Sequence, residues 1–304
     1  MKGLIDFKMD TQNKITFLGG DARQIMAARK LLSCGYKIST FACMQTECDT
    51  FEICETLELA LKSSSILILP LPASVDGASL NAPFFQGDKI YLSQMIDMLE
   101  DNSDCKLVVG GKIPEGFSAN LQSKNIKVID YFKSEAFQIE NAYTTSEAAL
   151  SIAMNNLKRN IRGASFAITG YGRIARTLTD ILLKLGANVC VLARKESDLA
   201  WARLAGAKTT ALNGDGVMTL INGYDIIFNT VPTWLFYADF LSNVDKNTLI
   251  IDLASSPGGV DVSAAKKLSS KVLWASSLPG KYAPESAGEL IADCVEKIIS
   301  EVDL

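Results

Sequence analysis

Over residues 164–185 an apolar stretch of strand type runs directly into Gly170-Tyr171-Gly172-Arg173-Ile174-Ala175. Apolar residues at helical spacing follow: Ile174, Leu178, Ile181, Leu182 and Leu185. This order constrains the chain to an α/β unit in which a glycine turn joins a strand to the helix that covers it. Gly170 permits the tight turn, Gly172 leaves room for an anion against the backbone, and Ala175 lets the helix lie close on the strand. The free N–H groups of the first helical turn favour a phosphate. A Gly-x-Gly-x-x-Ala string also occurs in turns that only pack a helix on a sheet; its place between strand and helix is what favours a dinucleotide. Gly186 ends the helix, and a second strand over 188–192 leads to Ala193-Arg194-Lys195. NAD sites commonly put an acid there against the ribose 2′-hydroxyl, whereas Arg194, Lys195 and Ser197 supply the cations and hydroxyl suited to a 2′-phosphate. The reading favours NADP(H) over NAD(H).

The 304 residues suffice for two domains. With 48% apolar and 21% charged residues the composition is that of a globular protein. A net charge of -4 lacks the basic footprint of a nucleic-acid binder. No apolar run is long enough for a membrane span, and the opening residues lack the pattern of a leader, so a cytoplasmic protein is expected. Seven scattered cysteines read as reduced thiols; Cys43, Cys48 and Cys54 fit no common zinc spacing, and no metal is expected. The chain has no histidine. Ser-His and Cys-His nucleophiles are therefore excluded, and proton transfer falls to Lys, Asp, Glu, Tyr, Ser or water.

Both halves alternate strands and helices. In the first, strands are predicted over 14–18, 36–41, 65–69, 106–109 and 126–129, with helices over 22–33, 51–62, 92–100 and 114–124. The Gly19-Gly20 turn lacks the third small residue of a dinucleotide site and is not assigned a second cofactor. Thr144-Thr145-Ser146-Glu147 reads as N-capping sequence before a helix over 148–157 that joins the halves. In the second half, strands over 225–229, 248–251 and 271–274 each end in a turn of small or polar residues: Asn229-Thr230-Val231-Pro232, Asp252-Leu253-Ala254-Ser255 and Ser277-Leu278-Pro279-Gly280. Ligands of open α/β sheets sit beyond the carboxyl ends of the strands, so these turns are expected to line the nicotinamide half of the site. The fold class expected is α/β: two Rossmann-like, doubly wound parallel-sheet domains with an interdomain cleft. The boundaries drawn are an N-terminal substrate or partner domain over 1–143, a connecting helix over 144–161, an NADP-binding domain over 162–282 and a last segment over 283–304. Its helix is free to cap either domain, crossing back to the first included.

Gly19-Gly20-Asp21-Ala22-Arg23-Gln24, Gly170-x-Gly-Arg-x-x-Arg176, Asp252-Leu253-Ala254-Ser255 with Pro257-Gly258-Gly259, and Leu278-Pro279-Gly280 with Ala283-Pro284 and Ser286-Ala287-Gly288 resemble the A-subunit family of dipicolinate synthase. The resemblance runs from the first strand to the last helix. It implies a sporulation enzyme of the mother cell, at a branch from lysine biosynthesis, that makes dipicolinate from a dihydro- or hydroxytetrahydro-dipicolinate with a nicotinamide cofactor. It also implies a partner, the flavoprotein-like B subunit. Ser256 stands where the family often has Arg, Lys281 adds a cation after Leu278-Pro279-Gly280, and Thr145 stands where Pro is usual.

Such a substrate is a small dianion. Arg23, Lys112 and Lys281 are the candidate carboxylate ligands, with a solvated surface role as the alternative. Glu147 and Asp252 are candidates for proton handling, though Glu147 also fits a capping box from Thr144 and Asp252 also fits a cap of its turn. Two further readings stay open: a dehydrogenase of another amino, imino or keto acid, and a nucleotide-binding subunit without chemistry. Homo-oligomerisation is likewise open.

Overall fold

The computed structural model describes residues 14–44, 50–100 and 104–302. The opening segment read for a leader and Cys48 lie outside the described residues. The chain divides into two compact units, one formed by Met1–Gln138 with Pro284–Leu304 and the other by Ile139–Ala283.

The first unit runs β1 (Lys14–Leu18), α1 (Ala22–Ser33), β2 (Lys37–Phe41), β3 (Glu52–Ile53), α2 (Leu57–Lys62), β4 (Ile66–Ile68), α3 (Leu92–Glu100), β5 (Leu107–Gly110), α4 (Glu115–Ser123) and β6 (Lys127–Asp130). All strand pairs are parallel, in the order β3-β2-β1-β4-β5-β6. Ile15, Phe17, Ile66, Leu67, Ile68, Leu107, Val108 and Val109 are fully buried, as central strands covered by helices on both faces must be. The helix predicted over 51–62 starts later. Glu52 and Ile53 pair with Ser39 and Thr40 as an edge strand. Thr56 Oγ1 then accepts from Leu59 N at 3.2 Å and starts α2.

Helix α5 (Glu135–Asn156) begins well before the Thr144 cap read from sequence. Thr144, Thr145 and Ser146 lie inside it, and their hydroxyls donate to the carbonyls of Glu140, Asn141 and Ala142 one turn back. Because the helix is already under way at Thr144, the capping box proposed for Glu147 is not formed.

The second unit runs β7 (Ser165–Thr169), α6 (Arg173–Lys184), β8 (Asn188–Ala193), α7 (Glu196–Leu204), β9 (Lys208–Ala211), β10 (Ile226–Asn229), α8 (Ala238–Asn243), β11 (Leu249–Asp252), α9 (Val262–Lys267), β12 (Val272–Trp274) and α10 (Leu278–Tyr282). Its parallel sheet is ordered β12-β11-β10-β7-β8-β9. Counted from its own first strand, each sheet therefore reads 3-2-1-4-5-6, the dinucleotide-binding order, with the crevice at the reversal between strands 1 and 4. The Ser277-Leu278-Pro279-Gly280 turn is in fact the start of α10, which Ala283 N closes by donating to Pro279 O at 3.1 Å.

Helix α11 (Pro284–Glu301) returns to the first unit and packs on α1. Gly288 makes the approach possible, since a Cβ there would stand 2.4 Å from that of Met26 and 2.7 Å from the carbonyl oxygen of Arg23.

Candidate functional site

In the second unit the crevice lies where β7 and β10 part. Gly170, with φ +87°, turns the chain at the end of β7, and a Cβ there would meet Thr230 Oγ1 at 2.6 Å and Val231 Cγ2 at 3.0 Å. Gly172 occupies the N-cap of α6, makes no side-chain cap, and would present a Cβ to open space. Open space thus lies beside Gly172 at the N-terminus of α6, where first-turn amides favour a phosphate. Ala175 is fully buried under the helix. Ile174 is half-buried, while Arg173 is exposed and is not without a partner. Tyr171 points into the core, and burial raises its phenol above the ordinary value, so only its backbone is offered to a ligand.

Arg176 fixes this turn. Its Nε donates to Tyr171 O at 3.0 Å, its Nη2 reaches Asp198 Oδ1 at 3.3 Å, and its guanidinium lies 5.3 Å from the Tyr171 ring. The neighbouring Glu196 is held by Arg203 at 2.6 Å. Both acids at the start of α7 are therefore committed, while Arg194, Lys195 and Ser197 are exposed at the end of β8, Arg194 and Lys195 without an ion-pair partner among the described residues.

The turns after β10 and β11 are built on a buried polar row. Thr169, Asn229 and Asp252 stand in register at the ends of three adjacent strands. Asn229 Oδ1 accepts from Thr169 Oγ1 at 2.6 Å and Val231 N at 3.1 Å; its Nδ2 donates to Asp252 Oδ1 at 2.7 Å and Val231 O at 3.1 Å. That uses the full capacity of the amide, so Asn229 shapes the turn and has nothing left for a cofactor. Asp252 also accepts from Ala254 N at 3.1 Å and Gly259 N at 2.8 Å. Both its oxygens serve the loop, the capping role that sequence left open. Thr230 Oγ1 donates to Thr169 O at 2.8 Å; Val231 is half-buried and Pro232 exposed. Leu253, Ala254, Leu278 and Pro279 are buried beneath the turns.

Glu147 is exposed and makes no hydrogen bond or ion pair among the described residues. The adjacent Ser146 Oγ reaches Ile174 O at 3.2 Å and Thr177 Oγ1 at 2.6 Å, which brings this part of α5 against the first turn of α6. Lys281 is exposed on α10.

Arg23 and Lys112 belong to the first unit, at the carboxyl ends of β1 and β5 on either side of β4. The Gly19-Gly20 turn there is filled by its own side chains. Asp21 caps α1 by accepting from Arg23 N at 3.1 Å, and it takes Arg23 Nε at 2.9 Å and Nη2 at 2.8 Å. Nη2 also donates to Leu71 O at 2.5 Å. Arg23 is 7% exposed, so it is not the solvated surface residue of the alternative reading. Lys112 is exposed, with Nζ 4.7 Å from the Phe132 ring centroid. Asp130 holds the loop beneath it, accepting from Lys112 N at 3.0 Å and Ile113 N at 3.1 Å.

Sequence reasoning passed over Asp21, Arg176 and Thr169, which hold the turns in place. A polar residue ending each of three otherwise apolar strands was the available signal for the Thr169 row.

Residues 14–132 match the family model described as the N-terminal domain of the dipicolinate synthase A subunit. The dipicolinate synthase A subunit of Bacillus subtilis (strain 168) is 31% identical over 298 residues, covering 97% of this chain and 98% of that protein. The chain belongs to the A-subunit family of dipicolinate synthase. The crystal structure of the dipicolinate synthase A subunit from Bacillus halodurans superimposes with a TM-score of 0.81 at 27% identity, over 95% of this chain and 98% of that one. A transhydrogenase from Sinorhizobium meliloti shares the fold, with a TM-score of 0.65 at 14% identity over 94% and 93% of the two chains. Membership in this family, together with a dehydrogenase-type fold, supports an oxidoreductase-type role and a nicotinamide cofactor for this dipicolinate synthase relative. No helix among the described residues is long and apolar enough to cross a membrane.

Proposed function

We propose that the chain is the NADP(H)-dependent component of a dipicolinate synthase, oxidising dihydrodipicolinate or its hydroxytetrahydro precursor to dipicolinate. The observation that carries this reading is the open space at Gly172 beside Arg194 and Lys195, two exposed cations without an ion-pair partner among the described residues. The first-turn amides of α6 would hold the pyrophosphate, Arg194, Lys195 and Ser197 the 2′-phosphate, and the turns at 230–232 and 253–254 the nicotinamide half. When bound, the cofactor supplies a hydride acceptor. Forming an aromatic ring drives the oxidation, so the protein has to position the substrate and take up a proton more than to activate a nucleophile.

Arg23 and Lys112 suit a dianion. They stand at the same end of one sheet with a single strand between them, roughly 10 Å at ordinary strand spacing, so that each can address one carboxylate. Lys281 is a third candidate cation. Glu147, free of other bonds beside the first turn of α6, is the better proton acceptor; Asp252 orders the loop that follows it. The family resemblance supplies the rest of the reading: its partner is the B subunit, and its place of work is the mother cell of a sporulating bacterium.

The test is cofactor reduction by the purified chain with the dihydrodipicolinate mixture, with and without the B subunit. NADP⁺ reduction above the NAD⁺ rate is expected. Tight NADP(H) binding with no turnover in either condition would leave only a nucleotide-binding role and overturn the enzyme reading.

A further inference from the structure

Helix α7 opens with two acids in its first turn, Glu196 and Asp198, and its N-cap residue Lys195 makes no side-chain cap. Acids suit that end of a helix, where unpaired amides leave a partial positive charge. The same stretch carries Arg194, Lys195 and Ser197, proposed above for the 2′-phosphate, and free carboxylates among them would repel that anion. Helix formation and phosphate binding thus ask opposite things of one turn.

Two arginines reconcile them. Arg203, later in α7, holds Glu196 Oε1 at 2.6 Å. Arg176 comes from α6 instead. Its Nη2 donates to Asp198 Oδ1 at 3.3 Å, its Nε donates to Tyr171 O at 3.0 Å, and its guanidinium stands 5.3 Å from the Tyr171 ring centroid. Asp198 N donates to Lys195 O at 3.0 Å, so the paired acid lies within one helical turn of the proposed phosphate ligands. Both members of the pair reach solvent, with side-chain exposures of 53% for Arg176 and 24% for Asp198. Pairs of that exposure add little to folding stability. What this pair does is link the glycine turn to the first turn of α7, the two places where the phosphates of the cofactor are proposed to sit.

We propose that Arg176 is a positioning residue that sets cofactor choice. By neutralising Asp198 it leaves the first turn of α7 receptive to the 2′-phosphate of NADP(H); without it, the freed carboxylate would suit the ribose 2′-hydroxyl of NAD(H). Arg176 spends its charge on Asp198 and acts on the phosphate through that acid. The inference rests on the NADP(H) reading above.

Kd values for NADP(H) and NAD(H) are measured on the full chain, together with melting temperatures, for Arg176→Ala, Asp198→Asn and the double variant. Arg176→Ala should melt close to the wild type. A loss common to both cofactors reports the released Tyr171 turn, so the readout is the ratio of the two Kd values. The preference for NADP(H) is expected to fall roughly tenfold in Arg176→Ala, the effect of one uncompensated charge near a phosphate. Adding Asp198→Asn should restore it, which loss of a direct phosphate ligand or of local structure would not allow. Asp198→Asn alone removes the acid and keeps the arginine, so the preference should hold or grow. An unchanged ratio in Arg176→Ala, a fall that the double variant does not restore, or a fall in Asp198→Asn alone overturns the inference and leaves the proposed function standing. A wild-type chain without preference for NADP(H) overturns the NADP(H) reading as well.

Discussion

Thr169, Asn229 and Asp252 illustrate how a few buried polar atoms set the shape of the turns that follow three strands. Each bond in the row is replaced by nothing if Asn229 is truncated, because all three side chains are at most 3% exposed. Asn229→Ala should therefore cost about 3 kcal/mol or more, the sum of lost bonds and of donors and acceptors left unmet. Denaturant unfolding of the two proteins measures it, and a loss near zero would mean that the row is not structural. Arg194 represents the opposite case, an exposed residue whose proposed role is to meet a ligand. Arg194→Ala should weaken NADP(H) by about 1–3 kcal/mol and leave NAD(H) almost unchanged, since only the former carries a phosphate for it to meet. Parallel titrations decide the point, with equal losses ruling out the 2′-phosphate contact. Arg194 was legible in sequence because its neighbours along the chain locate it at a strand end. The use of Asn229 was not, because its partners Thr169 and Asp252 are distant in the chain and meet it only when three strands pair in register.

At the scale of elements, the β7–α6 junction contains two glycines with different reasons for being there. Gly170 needs both its positive φ and the absence of a Cβ beside Thr230, so Gly170→Ala should destabilise the fold. Gly172 has φ -76°, which any residue adopts, and open space around it. Gly172→Val should fold normally and lose cofactor binding, because its branched side chain would stand where the pyrophosphate belongs. Circular dichroism, melting and NADP(H) titration of both variants separate the two effects; a Gly172→Val protein with wild-type affinity would remove this turn from the site. The two sheets and most helix positions were readable from apolar spacing. The start of α5 was misread because Thr144, Thr145 and Ser146 look like caps in sequence, and only their backward bonds to α5 carbonyls show otherwise. The edge strand β9 carries half-buried threonines instead of an apolar run and gave little periodic signal.

For the whole molecule, the half-buried thiol of Cys43 and the buried thiol of Cys105 tie stability to alkaline pH. Burial raises Cys43 and Cys105 from 9.0 to about 12. A thiol harder to ionise in the folded chain than in the unfolded one contributes its stability in full below pH 9 and loses it as pH rises toward about 12. Urea midpoints taken at neutral pH and again above pH 9 should show this fall, and a Cys43→Ala, Cys105→Ala double variant should flatten part of it. An unchanged slope in the double variant would assign the fall to other groups.

The return of α11 to α1 has a consequence for how the chain is assembled during synthesis. The second unit is one uninterrupted stretch inserted into the first, complete once residue 283 has been made, while the first unit waits for the residues that follow. Until then the face of α1 that receives Gly288 has no cover. The second unit can thus be complete while the first is still unfinished, and the residues of α11, made after it, are the ones that cover α1.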